Sequence, residues 1–204
     1  MITGHLGVAA GARGGWKRAS LVWLIAGSVA PDVLDVGYAA VGVCNPDGRY
    51  SHTVPIAVLL ALLLGGAAYA VTKSRATALA TAVMVLLHLP ADLVTGYKVY
   101  WPGGPLLGLH LYERPLADFV VEALVLTGGW WVLRRSDAGP LWATSRVTLA
   151  VLLLAQAIAD TAGVSVKPSG CYSVRATAAL SKHWRGQSAR LGTRSTSTWY
   201  LSSR

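Results

Sequence analysis

From Val54 to Thr72 the chain runs nineteen residues without one charged side chain. As an α-helix at 1.5 Å per residue this is about 28 Å, enough to cross the hydrocarbon core of a bilayer. Three further runs are comparable: Ala76 to Gly96, Leu116 to Leu133 and Val147 to Val166. A fifth, Leu21 to Val43, is apolar but interrupted by Pro31-Asp32-Val33-Leu34-Asp35. It reads either as another span or as a re-entrant pair of half-helices. Such runs are too long and continuous for barrel strands, which alternate over about ten residues. In lipid every backbone N–H and C=O must find its partner within the chain, which leaves helices. The expected fold is all-α: a multi-span helical integral membrane protein of four to five transmembrane helices, with a broken or re-entrant first segment.

Composition agrees, and locates the charge. Residues are 53% hydrophobic and 13% charged, about half the charged share of a soluble domain. The net charge of +9 taken alone suggests nucleic acid or an anionic membrane. Its distribution decides between them. Residues 167–204 hold seven basic residues and no acidic one, whereas residues 1–166 hold 11 basic and 9 acidic, or +2. A basic run without a recognition motif gives no ground for specific nucleic-acid binding. The chain divides into a helical membrane domain, 1–166, and a basic tail, 167–204, with the composition of a disordered segment. Cys44 and Cys171 form no CxxC pair, so they indicate neither a disulfide framework nor a thiolate zinc site and read as ordinary thiols. The glycine-rich stretch 11–15 reads as a flexible linker.

Six of the nine acidic residues lie inside the apolar segments: Asp32, Asp35, Asp92, Asp118, Glu122 and Asp160. A carboxylate at bilayer depth costs about 2.5–3.5 kcal/mol on the mildest scale, so each needs a partner or a bound cation. Antiparallel connectivity brings them to one side. His52 starts one span; the next returns to that leaflet with His88 and Asp92; the following one leaves from it with Asp118 and Glu122. The last ends there with Asp160. The Pro31–Asp35 break is joined to His52 by a short link and reaches the same level. His88 and Asp92, like Asp118 and Glu122, are four apart and share a helix face. Histidines with several carboxylates suit Zn²⁺, Mn²⁺ or Mg²⁺.

The order of these motifs is familiar. Tyr50-Ser51-His52-Thr53 opens an apolar helix and His88-x-x-x-Asp92 follows. Then come Trp101-Pro102-Gly103-Gly104-Pro105 and Gly108-Leu109, leading to Glu122. Together they resemble the YdjM-type family of membrane-bound metal-dependent hydrolases. Gly27-Ser28-Val29-Ala30-Pro31-Asp32-Val33-Leu34-Asp35 resembles that family's Gly-x-x-x-Pro-Asp-x-x-Asp element. The resemblance runs from about His5 to Arg135, with a more distant similarity to zinc-dependent phospholipase C-like proteins. It implies Asp32, Asp35, His52, His88 and Asp92 as metal ligands, His5 as the family's N-terminal histidine, and Glu122 as a polar catalytic residue. The chain departs at Gly48-Arg49-Tyr50, where some relatives carry a second histidine, at Leu87, where a hydroxyl residue is common, and at Pro90.

The expected function is hydrolysis of a phosphoester or related bond, with a divalent metal, zinc before manganese or magnesium, activating water. Glu122 would take the proton, and Arg49 and Lys98 would bind an anionic group. The expected partners are the lipid bilayer of a cell membrane and a lipid-like or phosphate-containing substrate. An ion or solute transporter using the same carboxylates and a non-catalytic membrane scaffold are the alternatives. Elsewhere, Asp118 is expected to pair with Arg114, Asp160 to pack helices, and His110 to be solvated. Gly65-Gly66 and Gly128-Gly129 are expected to let helices approach closely.

Overall fold

The computed structural model describes residues 3–162. The tail 167–204, its boundary at 166 and Cys171 lie outside the described residues. Within them the helices are α1 (Gly4–Gly15), α2 (Leu21–Ala40), α3 (Val54–Thr72), α4 (Arg75–Thr95), α5 (Pro115–Arg135), α6 (Leu141–Thr144) and α7 (Arg146–Thr161). Four of these, α2 to α5, are long and apolar enough to cross a membrane. The only sheet among the described residues is a two-stranded ribbon, β1 (Lys98–Val99) against β2 (Leu106–Leu107). The Trp101–Pro105 turn closes it, with Gly103 at a φ of 76° that favours glycine.

Three expectations change here. The first apolar segment is one continuous helix, so the broken or re-entrant form is withdrawn: α2 runs through Pro31. Proline removes one N–H and leaves the carbonyl four residues back without its helical donor, a local loss that the rest of the helix tolerates. The glycine-rich stretch 11–15 is the end of α1, not a linker. Cys44 is disulfide-bonded rather than an ordinary thiol. The described part of the Val147–Val166 run, α7, has 16 residues.

The apolar surface faces outward and small residues face inward. On α3, Leu59, Leu62 and Leu63 are exposed while Ala57, Ala61, Gly65 and Ala68 are buried, at helical spacing. Lipid supplies no hydrophobic drive between helices, so close backbone approach and packing hold them together. Gly65 meets the backbone of Ala78 on α4, whereas its neighbour Gly66 touches nothing. The same split occurs on α5: Gly129 lies against Gly7 of α1, and Gly128 is open. α1 and α5 run parallel, pairing Gly7 with Leu126, Gly11 with Gly129 and Gly14 with Val132. At the far end of α5, Arg134 and Arg135 lie over the rings of Trp130 and Trp131, an aromatic–basic arrangement typical of a membrane interface.

Parallel α1 and α5 place their N-termini at one end of the bundle. The start of α3 and the ends of α2, α4 and α7 meet there, as the contacts below show.

Candidate metal centre

Asp32, His52, His88 and Asp92 converge at that end. Each offers one ligand atom, and the four atoms lie within 4.8 Å of one another. Two helices and a loop supply them: α2 gives Asp32, α4 gives His88 and Asp92, and His52 stands just before α3. Within the group, His52 Nε2 is 3.1 Å from His88 Nε2, 3.4 Å from Asp32 Oδ1 and 3.2 Å from Asp92 Oδ2. His88 Nε2 is 3.6 Å from Asp32 Oδ1 and 3.5 Å from Asp92 Oδ2. Four ligands on tetrahedral bonds of about 2.0–2.1 Å would stand about 3.3 Å apart. Five of the six edges therefore match a tetrahedral zinc-like shell.

The outer nitrogens of the two imidazoles fix what the inner ones present. His88 Nδ1 lies 2.7 Å from the Ser28 carbonyl oxygen, which can only accept, so the proton sits on Nδ1 and a lone pair faces inward. His52 Nδ1 lies 2.6 Å from Ser51 Oγ and 3.6 Å from Asp35 Oδ2. Ser51 donates its own hydroxyl proton to Asp35 Oδ1, as does the Asn45 amide, which leaves Ser51 Oγ to accept from His52. Two imidazole lone pairs and two carboxylate oxygens then point at one space, and none of the four brings a proton. Acceptors packed in this way form a group that can hold a divalent cation.

Asp35 thus lies behind His52 rather than in the four-atom group. Its place is that of the carboxylate that orients a metal-binding histidine, worth 10–100-fold in affinity where measured, or about 1.4–2.7 kcal/mol. Asp35→Asn is expected to weaken metal binding within that range, read by competition with a chelator. Lys98 Nζ, 3.7 Å from Asp35 Oδ2, offsets its charge. Gly48 completes this side. Its φ is 71°, and a Cβ there would come within 2.9 Å of His52 Nδ1.

His5 stands on the other side, near the start of α1. Its Nε2 is 3.2 Å from Asp92 Oδ1 and 3.8 Å from Asp32 Oδ2, the oxygens turned away from the four-atom group. Its ring stacks on His88 at 3.8 Å. Glu122 Oε2 accepts from the N–H groups of Thr3 and Gly4, at 2.9 and 3.1 Å. Those are first-turn donors of α1, with no helical partner and a positive dipole end. Glu122 therefore fixes the helix end that carries His5.

The remaining expectations sort as follows. His110 is exposed, stacked on Tyr97 at 4.2 Å and 3.4 Å from Glu113. Asp118 is buried and makes no pair with Arg114, which is exposed. Arg49 is exposed beside the turn at Gly48. Sequence reasoning missed Ser28, Asn45 and Tyr112. The Ser28 carbonyl is 2.7 Å from His88 Nδ1, a backbone contact that no side-chain pattern announces. Tyr112 lies in the loop before α5; burial first, then the Asp92 charge, hold its phenol well above the ordinary tyrosine range, so it stays a proton-bearing group.

Comparison with family models, with curated proteins and with solved structures finds no match.

Proposed function

We propose that this chain is a multi-pass cell-membrane protein whose metal centre hydrolyses a phosphoester or related bond of a membrane-associated substrate. The convergence of two imidazole lone pairs and two carboxylate oxygens on one space, at zinc-like separations, carries the reading. His52, His88 and Asp92 are buried and would hold the metal; Asp32, whose side chain is 37% exposed, stands on the open side. Two histidines and one carboxylate with an open position form a catalytic zinc set, and octahedral magnesium, which keeps oxygen ligands and waters, fits the donors less well. A metal bound there supplies Lewis-acid polarisation and an activated water. Lys98, half-buried beside the centre, provides the positive charge to attract an anionic group. The motif order shared with YdjM-type proteins supports the same reading. Hydrolysis of a chromogenic phosphoester by the zinc-loaded protein, abolished by chelation, tests it. Bound zinc without turnover of any phosphoester would sink the hydrolase and leave a structural or transport site.

The pH dependence has a definite sign. Burial opposes protonation of His52, but its hydrogen bonds to Asp32 and Asp92 outweigh it and hold the pKa above the usual imidazole value. Without a metal, a proton takes over the role of the missing cation. Below that raised pKa the metal must displace the proton, so affinity is expected to fall by about tenfold per pH unit for one proton. Above it the affinity levels off. Isothermal titration in buffers of different ionisation enthalpy reads the released proton directly; a pH-independent affinity across the imidazole range contradicts the assignment of His52.

A further inference from the structure

A second polar cluster lies where α5 meets α7, apart from the four-atom centre. Asp118 stands in the first turn of α5 and Glu122 one turn later; Gln156 and Asp160 repeat that spacing at the end of α7. All four are buried. Most of their polar atoms have clear partners. Glu122 holds the first turn of α1, as described. Gln156 Oε1 accepts from the backbone N–H and the hydroxyl of Thr3, and its amide donates to Asp160 Oδ1 at 2.8 Å.

Asp118 differs. It is 1% exposed, and neither of its carboxylate oxygens has a hydrogen-bond partner. Oδ2 of Asp160 is orphaned too. Glu122, one turn on from Asp118, and Gln156, the partner of Asp160, share the Thr3 N–H, which sets the two carboxyls in one buried layer, with Asp118 within hydrogen-bonding reach of Asp160. Three orphaned oxygens, two carboxylates in contact and no basic side chain paired with either among the described residues cannot all coexist as anions. At hydrogen-bond separation in a medium of low dielectric, two like charges do not both ionise. Among the described residues, the groups that face the pair are Glu122 from α5, Gln156 from α7 and the Thr3 and Gly4 N–H groups from α1, and the charge of the chain's N-terminal amine also acts on Asp118. The two N–H groups already serve Glu122 and Gln156. Helix dipoles do not rescue the pair: the α5 N-terminus favours a charge on Asp118, while the α7 C-terminal turn disfavours one on Asp160. One proton resolves the conflict. It makes one carboxyl a donor, uses the other's orphaned oxygen as acceptor and removes one buried charge.

We propose that Asp118 and Asp160 bind a single proton between them at neutral pH, forming a carboxyl–carboxylate site separate from the metal centre. The proton belongs to the pair rather than to either residue. The site adjoins Glu122 and Gln156, which together grip Thr3 and Gly4, and the next residue is His5. Loss of the proton adds a charge beside that grip, so the pair couples external pH to the seating of α1. The proposal stands without the metal reading, since no ligand of the four-atom group takes part.

Two measurements on the full chain in detergent test it. Infrared spectra with carbon-13 aspartate are expected to show a protonated carboxyl band at neutral pH, lost in Asp118→Asn, whose amide can replace the donated proton while keeping the shape. Dicyclohexylcarbodiimide, which attacks protonated carboxyls in apolar surroundings, is expected to label Asp118 or Asp160 in the unmodified protein. Labelling should fade as pH rises. Peptide mass spectrometry places the label, so a misfolded variant would still leave the unmodified chain to decide. Absence of both band and label overturns the proposal. So does their suppression by sodium or magnesium at constant pH, which would make the pair a cation site instead.

Discussion

Asp92→Ala and His52→Ala are each expected to strip the divalent metal from protein purified in detergent, with affinity falling by more than about a hundredfold. Groups that only orient a ligand are worth 10–100-fold, and these two are placed to bind the ion itself. His52 Nε2 is within 3.1–3.4 Å of all three other ligand atoms, so no other side chain spans the gap it would leave. Asp92 presents one oxygen to the group and the other to His5. Its removal therefore opens the centre and releases His5 together. Asp92→Asn, which keeps the volume and loses the charge, separates the two effects: metal should still be lost, while the fold is better retained. His110→Ala serves as the control, since His110 is exposed and outside the group. Metal content by mass spectrometry, beside a thermal unfolding curve, gives the answer. Wild-type stoichiometry in both alanine variants would end the metal reading.

The spans and the level of the polar residues were legible because both follow from hydropathy and connectivity. A run such as Val54–Thr72 has no stable alternative to a helix in lipid, and alternating direction returns His88 and Asp92 to the level of His52. Helix α1 was not legible. Four of the first twelve described positions, Gly4, Gly7, Gly11 and Gly14, are glycines at helical spacing, and glycine is normally a helix breaker. Packing makes sense of three of them: Gly7, Gly11 and Gly14 face α5, and a Cβ at Gly7 or Gly14 would come within 2.5–2.7 Å of Leu126 or Val132. Continuity of α2 was hidden for a similar reason, since Pro31 costs one hydrogen bond that periodicity cannot weigh.

The roles of single residues divide the same way. Residue type, spacing and the family resemblance together nominated Asp32, Asp35, His52, His88, Asp92, Glu122 and, by resemblance alone, His5, but could not order them by distance from a common point. Asp35 and Asp32 are three apart on one helix, yet one faces His52 Nε2 and the other His52 Nδ1. The resemblance implied Glu122 as a polar catalytic residue that would take the proton. Its oxygen is instead engaged by two first-turn N–H groups of α1, a contact that requires knowing α1 exists. Backbone partners such as the Ser28 carbonyl carry no side-chain signature at all.

The largest expected effect on stability comes from a single methyl group at Gly129. A Cβ there would fall 1.8 Å from the Gly7 carbonyl oxygen, and the reverse contact, from Gly7, falls 2.5 Å from the Leu126 Cα. Both obstacles are backbone, so neither can rotate away; the two helices must separate. Overpacking costs 1–3 kcal/mol where side chains can adjust, and Gly129→Ala is expected to reach at least about 3 kcal/mol because here they cannot. The adjacent Gly128 supplies the control. Nothing lies within 4 Å of its would-be Cβ, so Gly128→Ala should be neutral or stabilising by up to about 1 kcal/mol through helix propensity. The two variants have the same composition and hydropathy, and differ only in which face the methyl occupies. Denaturant midpoints in detergent should therefore part in opposite directions. Equal midpoints would mean that α1 is not seated on this face of α5. The metal centre should respond as well, since α1 carries His5 and is gripped by Glu122. Displacing α1 is expected to weaken metal binding in Gly129→Ala by less than loss of a ligand does, because His5 supports the ligands from behind, through the outer oxygens of Asp32 and Asp92 and by stacking on His88.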